Sequence, residues 1–256
     1  MTRQILPLVV YKYGVTSMLD APCGAVVWTT LLLEDLMADI PCFRYTGVDV
    51  VASVVERDRV SLRHLAPRAQ FHVSDVSRAI PGGAHDLILS RDALQHLPWR
   101  TVVDVLEQYC ATHSTFLLVG SYPRGDDEFQ VRHGARDERR GSMCLPQDAP
   151  GLLSAHSNVH ASQRFNGDRA ARVHGNVDIA LGQCSTIDLV KAPFNLPAPL
   201  EIFDEKFDGK HLYLYHLPTL CAGSFIADLR ARVTEAAAKE TPPTGPNGCY
   251  SKTLPS

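Results

Sequence analysis

Three short apolar runs in this chain close on an aspartate: Ser17-Met18-Leu19-Asp20, Tyr45-Thr46-Gly47-Val48-Asp49 and Phe71-His72-Val73-Ser74-Asp75. A carboxylate at the end of a buried strand accepts hydrogen bonds from hydroxyl or ammonium groups. Open α/β sheets bind ligands beyond the carboxyl ends of their strands. The first run leads into Ala21-Pro22-Cys23-Gly24, a turn whose glycine lets a ligand approach the backbone. The apolar helical run Trp28 to Met37 then puts a helix start at the same edge. Asp49, at the end of the neighbouring strand, is where a ribose would place its two hydroxyls.

The turn has one glycine where a dinucleotide fingerprint has three, so a pyrophosphate-bearing cofactor is poorly served. A cofactor without phosphates fits better, and S-adenosylmethionine is the common one. The acids at 20, 49 and 75 then converge on one edge of the sheet. Other reactive side chains follow the run Asp86-Leu87-Ile88-Leu89-Ser90. Arg91 and Asp92 could hold a cofactor carboxylate or a polar substrate, or Asp92 could cap the next helix. His96, placed one turn into that helix, reads either as a base titrating near neutrality or as a packed residue of the Gln95-His96-Leu97-Pro98 bend. Trp28 could wall the pocket against a cation or pack in the core. Cys23 has no neighbour that would activate it, and reads as a small neutral residue.

Positioning these groups requires a series of strands and helices. Ile5 to Gly14 predicts a short helix closed by glycine, and Val15 to Asp20 the first strand. Strands are expected over Phe43 to Val50, Gln70 to Val76, Asp86 to Ser90 and Phe116 to Ser121. Helical spacing covers Leu31 to Met37, Val54 to Leu65 and Leu94 to Tyr109. Five strands with four intervening helices make a parallel sheet covered on both faces. The segment 124–175 carries eight arginines and seven acids without periodicity, and is expected to be a low-order insertion. Leu200 to Asp204 and His211 to His216 read as a hairpin closing the sheet. Ala222 to Lys239 reads as a helix, and Thr241 to Ser256 as a loose tail.

With 25 basic and 28 acidic residues the chain is near neutral, which argues against a broad nucleic-acid surface. Its 45% hydrophobic content supports a real core. No run is long enough to span a membrane, and the basic segment Arg3 to Tyr13 reads as a helix packed on the sheet, not as a presequence. The seven cysteines form no C-x-x-C pair, so free thiols in the cytoplasm are expected, with no disulfide and no metal site.

Taken together, Asp20-Ala21-Pro22-Cys23-Gly24, Gly47-Val48-Asp49, Ser74-Asp75-Val76 and Asp86 to Leu97 resemble the ordered motifs of class I S-adenosylmethionine-dependent methyltransferases. The resemblance implies a doubly wound, mostly parallel seven-stranded sheet of the Rossmann-like methyltransferase type. The domain spans 1–216 around the insertion, with 217–256 as a C-terminal helix and tail. By the same resemblance Asp20, Ala21, Pro22, Cys23 and Gly24 line the methionine part of S-adenosylmethionine. Asp49 and Val50 meet the ribose side, Asp75 and Val76 the adenine, and Ser90 and Arg91 the transferring methyl. Arg91 and His96 are the catalytic candidates, and the methyl acceptor is expected to be a small molecule. Two alternatives stay open: a binding or regulatory protein that has kept the fold and lost catalysis, and a nicotinamide-dependent oxidoreductase.

Overall fold

A computed structural model describes residues 2–123, 176, 178, 186–206 and 209–239. The expected insertion, 124–175, and the expected tail, 241–256, both lie wholly outside these residues. In order come α1 (Thr2–Tyr13), β1 (Ser17–Asp20), α2 (Thr30–Asp39), β2 (Arg44–Asp49), α3 (Ala52–Ser61), β3 (Ala69–Val73), β4 (Leu87–Ser90), α4 (Trp99–Ala111) and β5 (Phe116–Ser121). Then follow β6 (Glu201–Asp204), β7 (His211–His216), α5 (Leu217–Leu220) and α6 (Phe225–Lys239).

The strands form one seven-stranded sheet in the order β3-β2-β1-β4-β5-β7-β6. The first five are parallel, while β7 runs antiparallel to both β5 and β6. This is a doubly wound, Rossmann-like arrangement, closed by the expected hairpin.

Alternation along each strand sorts the core into two layers. Met18, Leu87, Leu89, Leu212 and Leu214 face one side, where Leu6 and Val10 of α1, Leu33 and Leu36 of α2 and Val55 of α3 pack on them. Leu19, Ile88, Tyr213 and Tyr215 face the other, against Val102 and Leu106 of α4 and Leu229 and Val233 of α6.

Three expectations need correction. Among the described residues no helix joins β3 to β4; turns through Asp75 and Gly82-Gly83 make the crossing, so three helices intervene between the five strands. The single helix expected from Leu94 is divided into a 3-10 turn, Leu94–His96, and α4. Pro98 causes the division, because the residue before a proline is pushed out of the helical region and Leu97 is extended. Finally, Cys110 and Cys221 form a disulfide, with Cα atoms 5.7 Å apart. They are separated by 111 residues, and packing of α6 on α4 and of α5 on β5 and β7 brings them together. Free thiols remain at buried Cys23 and exposed Cys42 among the described residues. No helix among those residues is long and apolar enough to cross a membrane.

Candidate functional site

The loop between β1 and α2 is anchored to the ends of the strands on either side. Ala21 N–H donates to Leu89 C=O at 3.0 Å, and Cys23 N–H to Val48 C=O at 2.8 Å. Gly24 adopts a left-handed φ of +53°, which favours glycine, and its N–H donates to Asp49 Oδ2 at 2.9 Å. A Cβ added there would meet nothing within 4 Å, so the space over the turn is open. Gly47 faces the other way: a Cβ there would lie 2.7 Å from the Phe71 ring and 3.2 Å from Cys23 Sγ. The helix begins at Thr30, two residues later than expected, because Val26 to Thr29 close a turn first.

Asp20 and Asp49 end adjacent parallel strands and are 3% and 8% exposed. Asp49 Oδ1 accepts the Val51 N–H at 2.9 Å, so both of its oxygens hold backbone donors and each keeps a free lone pair. Asp20 accepts the Tyr45 hydroxyl at 2.9 Å. Burial pushes its pKa up to about 7, against the opposing pull of that hydrogen bond and of Arg91, while Asp49 adds to the rise. Burial also raises the Cys23 thiol, with Asp20, Asp49 and Asp58 pushing the same way, so this cysteine is no nucleophile.

Asp75 sits just past the end of β3, on the same rim. Its Oδ1 accepts the Ser77 hydroxyl at 2.7 Å and the Ser77 N–H at 3.0 Å, bonds that lower its pKa. Val76 packs against the layer containing α4. Val50 is 63% exposed, an apolar rim next to Asp49.

Beyond β4 the side chains are engaged with one another. Ser90 is buried, its Oγ 2.9 Å from the Tyr109 hydroxyl, which also donates to Ala21 C=O at 2.5 Å. Arg91 pairs with Asp92 at 2.6 Å and with Glu205 at 3.2 Å, and its guanidinium lies 5.5 Å from the Trp28 ring centre. Asp92 has a left-handed φ of +55° and receives Lys210 at 2.6 Å; Lys210 also meets Glu205 at 2.9 Å. Burial works to raise the Asp92 pKa, but Lys210 and Arg91 outweigh it and leave it below the usual carboxylate range. Thr2 of α1 also donates to Glu205.

Asp92 is therefore an ion-network member and not a helix cap; the N–H of Trp99 at the start of α4 is held instead by Asp178, at 2.8 Å. Glu205 and Lys210 were missed in the sequence, where they fall between the two expected strands of the hairpin. His96 ends the 3-10 turn and not the first turn of α4, and its imidazole makes no hydrogen bond or ion pair among the described residues. Hollows of about 220 and 450 Å³ lie elsewhere: the smaller between α4 and α6, the larger beside the disulfide. No group of metal ligands occurs among the described residues.

No family model matches the sequence, and no curated protein matches it. Among solved structures the chain is similar to mitomycin 7-O-methyltransferase, at 24% identity over 44% of this chain and 33% of that one, with a TM-score of 0.38. It is also similar to an O-methyltransferase from neocarzinostatin biosynthesis solved with S-adenosyl-L-homocysteine and 1,4-dihydroxy-2-naphthoic acid (20%, 45% and 35%, 0.36). A third is magnesium protoporphyrin IX methyltransferase of Synechocystis PCC 6803 with bound S-adenosylhomocysteine (16%, 52% and 59%, 0.40). The chain spans about a third of the length of the first of these.

Proposed function

We propose that this chain binds S-adenosylmethionine over the carboxyl ends of β1 and β2 and transfers its methyl group to a small-molecule acceptor. One observation carries the reading. Two buried carboxylates, Asp20 and Asp49, end adjacent strands on either side of an open glycine turn, in this strand order. The residues fit the cofactor. Asp49 keeps lone pairs for two ribose hydroxyls while its backbone bonds fix its orientation, and Val50 offers apolar surface beside it. Asp20 suits an ammonium group, whose charge would favour its ionised form. When bound, the cofactor supplies a sulfonium methyl open to in-line displacement.

The protein's share of such a reaction is alignment and exclusion of water. Trp28 and Arg91 would wall the methionine side, and the buried Tyr109 hydroxyl would hold the Ala21 carbonyl and Ser90 still beneath it. His96, with no competing partner among the described residues, is the candidate to take a proton from a hydroxyl acceptor. Asp75 and Val76 remain the candidate adenine contacts. The near neutrality of the chain supports a small acceptor over a polyanion.

The second reading, a binding protein without catalysis, draws on Arg91, which is already shared between two carboxylates. Calorimetric titration with S-adenosylhomocysteine tests the site. Binding is expected, and Asp49→Ala is expected to weaken it by about 10–100-fold through loss of charge-assisted hydrogen bonds. No binding at millimolar ligand would sink the proposal. Incubation with methyl-labelled cofactor and cell extract separates the readings, since a labelled small product appears under the enzymatic one alone.

A further inference from the structure

The disulfide lies apart from the candidate site and serves no step proposed for it. Cys110 is the next-to-last residue of α4, and Cys221 follows α5 directly. Both are partly exposed, and both line the larger hollow, of about 450 Å³, together with His113 and Ser114. A partly exposed disulfide at the wall of a hollow can be reached by a small thiolate, unlike one sealed in a core. Ala111, Leu217 and Pro218 complete its wall, and a hollow of this order admits a molecule of tripeptide size.

We propose that this hollow is a thiol–disulfide exchange site for small peptide thiols of the glutathione class. The thiolate of one such molecule attacks one cysteine sulfur and forms a mixed disulfide, and the other cysteine leaves as a thiolate that takes a proton from solvent. A second thiol then attacks the mixed disulfide. The protein gains two thiols, and the two small thiols become one oxidised dimer, so electrons and protons balance.

The consequence reaches the opposite edge of the sheet along α4. Cys110 is preceded by Tyr109, whose hydroxyl holds Ala21 C=O and contacts Ser90 Oγ. Cys221 is tied to the sheet through Leu217, whose N–H donates to Thr115 C=O at 2.8 Å, and its own N–H donates to Leu217 C=O at 2.8 Å. Cutting the bond frees the end of α4 that positions Tyr109. This coupling rests on the proposed cofactor reading; the exchange site itself does not.

The test uses the full chain as purified without reductant. Free thiols are blocked with N-ethylmaleimide, and a second sample is first treated with reduced glutathione under native conditions. Peptide mass analysis is expected to find Cys110 and Cys221 linked in the first sample and both alkylated or glutathionylated in the second. The thermal midpoint is expected to fall by about 5–15 °C on reduction, and Cys221→Ser should show the lower midpoint at the outset. Cys110 and Cys221 found alkylated before any glutathione is added, or a disulfide that resists it until denaturant is present, would overturn the proposal. Titration with S-adenosylhomocysteine in both states reads the coupling: several-fold weaker binding after reduction supports it, and equal affinity removes it. No binding in either state would sink the cofactor reading and leave the exchange site standing.

Discussion

Ionising Asp20 works against the fold. Its folded pKa of about 7 lies above the value near 4 that it has in an unfolded chain, so the native state binds the proton more tightly. The stability gained from that proton is fully present below pH 4 and is lost as the pH rises to 7. Above pH 7 the buried charge costs up to about 4 kcal/mol. Asp20→Asn, which can still accept the Tyr45 hydroxyl, is therefore expected to raise the thermal midpoint at pH 8 and to do so much less at pH 5. The same variant should weaken S-adenosylhomocysteine binding by at least about tenfold, since it cannot charge toward the ligand ammonium. A midpoint unchanged at pH 8 would show that Asp20 is solvated. Asp20 and Asp49 were legible because each ends an apolar run before a turn. The turn that captures the Asp75 carboxylate could have been read from the Asp75-Val76-Ser77 sequence, in which a hydroxyl sits two residues on.

The hairpin of β6 and β7 returns a buried pair of charges to the sheet. Lys210 and Glu205, 1% and 2% exposed, meet Asp92 and Arg91 at the end of β4. Removing one member strands the others without compensation, so Lys210→Met is expected to cost about 3–5 kcal/mol in chemical denaturation. The double replacement Lys210→Met with Glu205→Met removes one charge of each sign and should lose clearly less. If the single and double variants proved equally unstable, the loss would reflect packing and not charge. The elements themselves were mostly legible, since periods of two and of 3.6 separate strands from helices. The division of the helix at Pro98 was written in the chain but outweighed by apolar spacing on both sides. The ion network was not legible, because its members lie more than a hundred residues apart and only the antiparallel return of β7 joins them.

One sheet with two apolar layers makes a single cooperative unit of the described residues, and a ligand held at its rim is expected to stabilise all of it. At a hundred times its dissociation constant, S-adenosylhomocysteine should add about 2.7 kcal/mol by mass action. That corresponds to a rise of about 5–11 °C in the midpoint for a chain of this size. Adenosine-free controls such as methionine should give a much smaller rise, and an equal one would place recognition on the amino acid end alone. At this scale the sequence foretold the sheet, its hairpin and its two covered faces. It did not foretell the Cys110–Cys221 bond, because a separation of 111 residues along the chain says little about distance in space.

One of the two edge strands of that sheet, β6, has four residues and is bounded by Glu201 and Asp204, with Ile202 exposed between them. Glu201 is drawn sideways by Lys12 and Tyr13, and Asp204 Oδ1 is occupied by the Lys206 N–H. A second molecule laying its own backbone along this border would gain few ladder bonds and would have to bring anionic groups out of water. The border is thus a poor template for growth, and concentrated solutions should resist edgewise polymerisation there.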